Sequence, residues 1–254
     1  IGGRNALDYL VKVKEMPFPE AVSQLTGTPL RAYTAPKAPV MPKERRLLLP
    51  DVDSSCDAVK AYLEGRGIHP EIIDYCIEKK LLFQTSQYKN ALFVGYDRMG
   101  KPHYGALRST FSRFKSEATG SDKHYSFSIA ENPQADTVHL FEAAIDLLSY
   151  ATLEKYAGRD WKQEALLSLA GVFAPKRQGV VPVALSRFLE EHPQVTTLRL
   201  HLDNDEVGRA AAQGILDGLK GYTVLDEPPT RGKDVNEQLQ LQLGLMKKKE
   251  EWER

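Results

Sequence analysis

The feature that most limits the fold is a run of four strand–helix units in the C-terminal half of the chain. From about residue 136, alternating apolar residues typical of a strand give way four times to helical spacing. Four such units in succession predict an α/β fold with a parallel sheet flanked by helices, because parallel strands need crossover connections. The units are TVHLFE (137–142) with AAIDLLSYATLEKY (143–156), EALLSLAG (164–171) with PVALSRFLEEH (182–192), TTLRLHLD (196–203) with EVGRAAAQGILDGLKG (206–221), and YTVLDEP (222–228) with DVNEQLQLQL (234–243).

The chain before this run has other patterns. Residues 5–27 predict two short helices that are broken at Met16-Pro17, and residues 28–55 hold five prolines among charged residues, which is typical of a linker. Residues 56–130 then predict two helices followed by two strands around a turn at Met99-Gly100. A smaller α+β subdomain is therefore expected to precede the α/β region.

Charge, cysteine content and hydropathy limit the partners and the location that are expected for the protein. With 34 basic and 34 acidic residues the chain has no net charge, so it binds nucleic acid only if its cations gather on one face. Cys56 and Cys76 lack metal-ligand spacing, which favours reduced thiols and a cytoplasmic location. No apolar run approaches the roughly 18 residues that span a bilayer, so no membrane partner is expected.

Acidic residues stand where three of the four predicted strands end. Glu142 ends the first strand segment, and Asp203 and Asp205 end the third. Asp234 follows the fourth segment, where its helix begins. Because ligands of an open parallel sheet bind at the carboxyl ends of the strands, these acids predict a binding site along one rim.

Asp203 and Asp205 form an Asp-x-Asp pair whose side chains point to the same side of an extended backbone. Two carboxylates a few ångströms apart repel each other by about 4 kcal/mol at an intermediate dielectric, so the fold must compensate them. Mg²⁺ does so, since it prefers carboxylate, water and phosphate oxygens. The alternative is that Asp205 is the N-cap of the following helix, with Asp203 merely near the helix dipole.

The order of these acids resembles the Toprim domain that bacterial primases, topoisomerases and some nucleases share. The resemblance covers VHLFEAAIDLLS (138–149), LRLHLDNDEVGRAAA (198–212) and RGKDVNEQL (231–239). In that family the glutamate is a general acid or base, or a metal ligand, and the Asp-x-Asp pair binds Mg²⁺. The resemblance implies catalytic roles for Glu142, Asp203 and Asp205, and metal ligation by Glu142, Asp146, Asp203, Asp205 and Asp234.

Two N-terminal stretches resemble primases in particular. Residues 2–27 resemble the tail of the zinc ribbon before the primase core, and the metal ligands of that ribbon are absent, so no zinc is expected. Residues 61–77 and 91–108 resemble the subdomain that precedes Toprim, as in primase-like proteins of plasmids and conjugative elements. Ala143 departs from the family, which usually has glycine there, and this implies a narrower approach of the backbone to phosphate.

With this resemblance, a full domain organisation can be predicted. A parallel four-stranded sheet flanked by helices makes up the Toprim domain, and a smaller α+β primase-like subdomain precedes it. The predicted boundaries are 1–27 for the helical tail of a zinc-ribbon-like region, 28–55 for the linker, 56–130 for the primase-like subdomain, 131–245 for the Toprim catalytic domain and 246–254 for a charged tail.

Cationic residues suited to phosphate occur in three places. The stretch 107–127 holds Arg108, Arg113, Lys115 and Lys123 with four aromatic residues between them, a mixture that suits phosphates and unstacked bases. The alternative for this stretch is a strand with a solvated face and a buried aromatic face. Lys176 and Arg177, in the loop after the second strand, and Lys233 beside Asp234 fall at the acidic rim, where they contact phosphate or simply lie in surface loops.

Together these features predict a Mg²⁺-dependent DNA primase, a nucleotidyltransferase that makes RNA primers and accepts Mn²⁺ as an alternative ion. The expected partners are a single-stranded DNA template, nucleoside triphosphates and a replicative helicase, in the replication of a plasmid or conjugative element. Two other functions stay open. One is a Toprim nuclease that uses the same acids, and the other is a non-catalytic module that binds single-stranded nucleic acid.

Overall fold

A computed structural model of the protein describes residues 6–27, 46–172 and 179–246. The chain divides into two compact units, residues 1–44 and residues 45–254. The first unit holds helix α1 (Ala6–Lys12) and helix α2 (Phe18–Thr26). Pro17 is the N-cap of α2, where proline fixes the backbone at a helix start, so the predicted break is confirmed.

The second unit begins with a helical pair and an antiparallel sheet. His69 caps the second helix by accepting a hydrogen bond from the backbone N–H of Glu71, and Gly100 turns the chain with a φ of 77° between two of the strands. The four strands pair in sequence order, each antiparallel to the next. The elements are α3 (Asp57–Gly65), α4 (Pro70–Glu78), β1 (Leu82–Gln84), β2 (Ala91–Tyr96), β3 (Pro102–Arg108) and β4 (Lys115–Glu117).

Part of the predicted linker runs along this antiparallel sheet. Leu48 donates a backbone hydrogen bond of 2.9 Å to Thr119, and Asp53 donates one of 2.8 Å to Gln84. A methyl group on Gly120 would lie 2.2 Å from the carbonyl oxygen of Arg46, so the chain passes very close at this point. Residues 46–53, which belong to the predicted linker, are therefore in contact with this part of the fold.

The second sheet contains the predicted parallel strands, which are confirmed. Its strand order is β5-β7-β6-β8-β9. A short strand, β5, was not predicted and pairs antiparallel with β7 at the edge of the sheet. A 3₁₀ turn at Lys123–Tyr125 leads into β5 (Ser128–Ile129), and the remaining elements are β6 (Thr137–Phe141), α5 (Ala144–Tyr156), β7 (Ala165–Ser168), α6 (Val183–Glu191), β8 (Thr197–Leu200), α7 (Glu206–Gly218), β9 (Thr223–Asp226) and α8 (Val235–Gln242).

Two hydrophobic clusters cover the faces of the parallel sheet. On one face, α5 and α8 pack with α3, α4 and the antiparallel sheet around residues such as Phe141 and Leu147. On the other face, α6 and α7 pack around Leu140, Leu198 and Ile215. The central strands β6 and β7 are buried along their whole length, as strands covered on both faces are. Within the described ranges, no helix has the length and apolar character required to cross a bilayer.

The strand order indicates where a ligand site is expected in this sheet. The chain leaves β6 toward β7 on one side, and it leaves β8 toward β9 on the other side. Helices that depart in opposite directions open a crevice between the carboxyl ends of β6 and β8, which is the topological switch point of the sheet.

A buried polar chain crosses the same two strands. The side chains of His139 and His201 are hydrogen-bonded at 2.8 Å between Nδ1 and Nε2, and the Nδ1 of His201 donates to the Glu227 carbonyl oxygen at 3.1 Å. The remaining nitrogen of His139 is hydrogen-bonded to the Glu164 carboxyl group. Burial lowers the pKa of His201 to about 3, so its imidazole is neutral. This row of hydrogen-bonded side chains is therefore structural.

Candidate active site

Glu142 and Asp203 meet at the switch point. Glu142 follows β6 directly, and Asp203 lies in the loop after β8. The backbone N–H of Asp203 donates a hydrogen bond of 3.3 Å to Oε1 of Glu142. Two acidic residues that follow different parallel strands are therefore in contact. This agrees with the expectation that the carboxyl ends of these strands meet at one rim.

Lys233 lies between the two carboxylates of the Asp-x-Asp pair. Its Nζ atom is 3.0 Å from Oδ2 of Asp203 and 3.0 Å from Oδ2 of Asp205. The other oxygen of Asp205 accepts a hydrogen bond of 2.9 Å from the N–H of Gly208, so Asp205 is indeed the N-cap of α7. One oxygen of Asp205 thus caps the helix, and the other contacts the ammonium group of Lys233. The N-cap interpretation of Asp205 is therefore compatible with the metal-ligand interpretation.

Asp146 and Asp234 lie deeper in the same region. Asp146 is buried in the first turn of α5, and its Oδ1 accepts a hydrogen bond of 3.3 Å from the N–H of Asn236. Asp234 caps α8 by accepting one of 2.7 Å from the N–H of Glu237. Across the part of the chain that the structure describes, no three acidic, histidine or cysteine side chains are grouped closely enough to hold a metal ion as they stand.

The environment separates the pKa values of these acids. Burial, reinforced by the charge of Asp203, raises the pKa of Glu142 to about 7. Burial also raises the pKa of Asp146 well above its ordinary value, and the charge of Asp234 adds to this. The pKa of Asp203 is raised by burial against the opposing effect of Lys233, whereas the N–H of Gly208 and Lys233 lower the pKa of Asp205. A glutamate that titrates near neutral pH is suited to proton transfer.

A cavity of about 950 Å³ separates the acids from the antiparallel sheet. Its acidic side includes Glu142, Asp146, Asp203 and Asp234. Five of the predicted phosphate-binding cations also line it: Arg108, Arg113, Lys115, Lys123 and Lys233. Lys176 and Arg177 lie outside the described residues. The cavity therefore has the charge distribution that a polyanion bound through cations would require.

The cations differ in how they are already paired. Lys123 donates a hydrogen bond of 2.9 Å to the carbonyl oxygen of Ala170 and lies 3.0 Å from Glu117. Within residues 46–172 and 179–246, Arg108, Arg113 and Lys115 form no ion pair. The last three are consequently the cations with charge left to neutralise a bound phosphate.

Two residues that position the acids did not enter the predicted site. Gly208 leaves room for the loop, since a methyl group there would lie 2.1 Å from the carbonyl oxygen of Asp203. Arg209 donates to the carbonyl oxygens of Leu202 and Asp203, at 2.9 and 3.3 Å, and pairs with Asp226 at 2.7 Å. The only sequence signal for Arg209 is its place one helical turn after Asp205. That spacing suggests an ion pair with Asp205, whereas Arg209 pairs with Asp226.

Replacing Glu142 with glutamine is expected to stabilise the metal-free protein relative to wild type as the pH rises from about 4 to about 7. An unfolded glutamate has a pKa of about 4.3, whereas the folded pKa of Glu142 is about 7. The folded state binds this proton more tightly, so the stabilisation is fully present below about pH 4.3 and is lost as the pH rises through about 7. Glutamine has no such loss. Urea unfolding in EDTA across this pH range measures the difference.

The exposed glutamate Glu190 of α6 provides the control for this experiment. Glu190→Gln should follow the wild-type free energy of unfolding at every pH. A constant difference between Glu142→Gln and wild type between about pH 4 and 7 would contradict the raised pKa.

Residues 139–239 match a family described as Toprim-like. The chain therefore contains a Toprim-like domain at residues 139–239, and its fold is similar to that of a solved primase fragment. Residues 61–133 match a second family, described as a protein of unknown function (DUF3991). The Toprim match contains Glu142 and the Asp-x-Asp pair, and the second match contains the antiparallel sheet whose cations line the cavity.

The chain is also similar to a bacterial relative and to solved primase structures. An uncharacterized Bacillus anthracis protein, pXO2-78, is 30% identical over 172 residues, which cover 64% of this chain and 48% of the relative. The chain thus spans about half the length of that relative. The primase fragment of the bacteriophage T7 primase-helicase protein has a TM-score of 0.50 at 18% identity, over 71% of this chain and 67% of that chain. The DnaG catalytic core has a TM-score of 0.49 at 13% identity, over 72% and 68%. At 18% identity, the likeness to the T7 primase fragment concerns the fold alone.

Proposed function

We propose that this Toprim-domain protein is a Mg²⁺-dependent nucleotidyltransferase that makes RNA primers on single-stranded DNA. The observation that carries the proposal is the cavity between the sheets, with Glu142 and Asp203 on one side and Arg108, Arg113 and Lys115 on the other. Acids that attract a metal and cations that attract phosphate face the same space, which is the arrangement that nucleotide joining requires. The resemblance to plasmid and conjugative-element proteins supports replication of a mobile element as the setting.

The donor set fits a divalent cation. The ammonium group of Lys233 acts as a stand-in ion, because one oxygen each from Asp203 and Asp205 already lies 3.0 Å from its Nζ atom. Two convergent carboxylates, with water and phosphate oxygens completing the shell, are what Mg²⁺ prefers, and Mn²⁺ accepts the same ligands. Glu142, Asp146 and Asp234 are the further acids within this region that the proposal assigns to metal ligation.

Each residue of the site has a definable task in this reaction. Bound Mg²⁺ would neutralise charge on the triphosphate and favour ionisation of the attacking 3′-hydroxyl. Glu142, which contacts the Asp203 loop beside this position, would accept the hydroxyl proton. Arg108, Arg113 and Lys115 would bind the phosphates of the template and of the incoming nucleotide.

The direct test is primer synthesis on single-stranded DNA with ribonucleotides, in Mg²⁺ and in EDTA. We expect products only in the presence of the metal. Cleavage of DNA without added nucleotides would instead assign the site to a nuclease. Binding of single strands in EDTA, with no turnover in Mg²⁺ or Mn²⁺, would assign the protein to non-catalytic nucleic-acid binding. Pull-down with the replicative helicase of the same mobile element tests the proposed helicase partner.

Replacing Lys233 with methionine is expected to strengthen Mg²⁺ binding about tenfold, because a positive charge in direct contact with both aspartates is removed. Without metal, the same change should lower the melting temperature, since Asp203 and Asp205 then repel each other without compensation. Mg²⁺ should raise the melting temperature of the variant more than that of wild type. Calorimetric titration and thermal unfolding in EDTA and in Mg²⁺ measure both effects.

Lys220→Met is the matched control, because Lys220 is exposed beyond the end of α7. That control should titrate and melt like wild type. A Lys233→Met protein that binds Mg²⁺ no more tightly than wild type would show that the ammonium group does not occupy the cation position.

A further inference from the structure

The loop that joins β3 to β4 carries two exposed aromatic rings. Phe111 is 79% exposed and Phe114 is 52% exposed. Residues 109–114, here called the phenylalanine loop, separate two strands of the antiparallel sheet. Two phenylalanine rings within four residues expose a concentrated apolar area, and removing such area from water is favourable. Such a concentration indicates a binding surface.

The phenylalanine loop is held in a defined conformation. Oγ of Ser109 accepts hydrogen bonds from the backbone N–H groups of Phe111 and Ser112, at 3.2 and 3.1 Å. The N–H of Ser109 donates to the carbonyl oxygen of Phe114 at 3.0 Å. The hydroxyl of Thr110 donates to the carbonyl oxygen of Lys89 at 3.1 Å, which joins the loop to the β1–β2 turn. Rings on a loop fixed in this way lose little conformational entropy when they bind.

The neighbouring rings along the chain already have partners. Phe127 is 1% exposed and packs edge-on against Phe93. Tyr125 stacks on His103 with ring centroids 4.1 Å apart, and the guanidinium of Arg187 lies 3.6 Å from its ring centroid. The buried-face alternative is therefore right for Phe127, whereas the rings of the phenylalanine loop are presented to solvent.

The charges around the loop identify the kind of ligand. Ser112 and Arg113 of the loop line the cavity, as do Arg108 and Lys115 on the strands that it joins. Exposed rings among unpaired cations complement a chain that has both phosphates and accessible base faces. A single strand has both, whereas the bases of a duplex are already stacked on one another.

We propose that the phenylalanine loop is a stacking platform for the bases of single-stranded DNA that extends from the cavity. The inference rests on the proposed function, because it places the template strand beside the acidic site. Phe111 and Phe114 stack on bases, and Arg113 and Lys115 bind the phosphates between them.

The test compares two fluorescent probes by anisotropy: a mixed-sequence deoxyoligonucleotide, and a strand of the same length in which every base is replaced by an abasic site. Both probes carry the same phosphates, so only the first offers rings for stacking. The double variant Phe111→Ala/Phe114→Ala should bind the base-containing strand at least about thirtyfold more weakly than wild type, since both stacking contacts are lost. Its affinity for the abasic strand should be unchanged.

Two further variants complete the design. Met99→Ala is the control, because Met99 is 93% exposed in the turn at the opposite end of the same sheet. It should bind both probes like wild type. Arg113→Ala/Lys115→Ala should weaken binding of both probes alike and reduce the salt dependence, as loss of phosphate contacts does. Thermal unfolding checks that every variant is folded.

Several results would overturn the inference. One is equal binding of the two probes by wild type, and another is an unchanged preference in the phenylalanine double variant. A third is a change of oligomeric state in that variant with DNA binding intact, which would make the loop a contact between copies of the chain. Primer synthesis is measured separately. A wild-type protein that prefers the base-containing strand but makes no primers would refute the proposed function and leave the stacking platform in place.

Discussion

Primer synthesis is expected to fall at least about a thousandfold when Asp203 and Asp205 are both replaced by asparagine. Asparagine keeps the shape of the side chains but removes the two negative charges that converge on the Nζ of Lys233. The fold should survive, because asparagine caps helices as well as aspartate does and Asp205 is the N-cap of α7. The loss is therefore one of metal binding, and Mg²⁺ should no longer shift the melting temperature.

Asp217→Asn is the matched control for this double variant. Asp217 lies on the same helix but is exposed, and its carboxylate accepts a hydrogen bond of 2.9 Å from Gln213. That control should retain full synthesis and the full thermal response to Mg²⁺. If the double variant makes primers at the wild-type rate, these carboxylates have no part in the chemistry.

The elements that sequence patterns predict well are those whose periodicity persists over many residues. The parallel strands and their helices follow from the change between strand and helix spacing, and the structure confirms them. Strand β5 has only two residues, too few for any periodicity, and it exists because Ser128 and Ile129 pair with Leu167 and Leu166 of β7. Tertiary pairing of this kind leaves no local signal.

The candidate site also has one part that the sequence predicts and one part that it does not. The meeting of Glu142 with Asp203 follows from the rule that ligands bind at the carboxyl ends of parallel strands. The position of Lys233 between Asp203 and Asp205 does not, because it depends on how two loops pack. The N–H of Asn204 donates a hydrogen bond of 2.7 Å to the carbonyl oxygen of Lys233, and this contact aligns the loops. No spacing rule gives such a contact between segments so distant in the chain.

Gly208→Ala is expected to lower primer synthesis about a hundredfold without unfolding the protein, because displacements of about 1 Å in a catalytic group have effects of this order. The added methyl group would lie 2.1 Å from the carbonyl oxygen of Asp203 and 2.9 Å from Oε1 of Glu142. The backbone of the Asp203 loop must therefore move. Alanine is also the better helix former, by about 0.8–1 kcal/mol, which offsets part of the packing strain of roughly 1–3 kcal/mol.

The control for Gly208→Ala is Gly65→Ala, at the last residue of α3, where an added methyl group would meet no described atom within 4 Å beyond its chain neighbours and the backbone of its own helix. Both changes add one methyl group to a helical glycine, and only Gly208 touches the acids. Gly65→Ala should keep wild-type synthesis and equal or slightly higher stability. Because the carboxylates of Gly208→Ala remain in the chain, its Mg²⁺ binding should weaken less than in the double asparagine variant. Wild-type turnover by Gly208→Ala would show that the close contact between α7 and the Asp203 loop is not needed to position the acids.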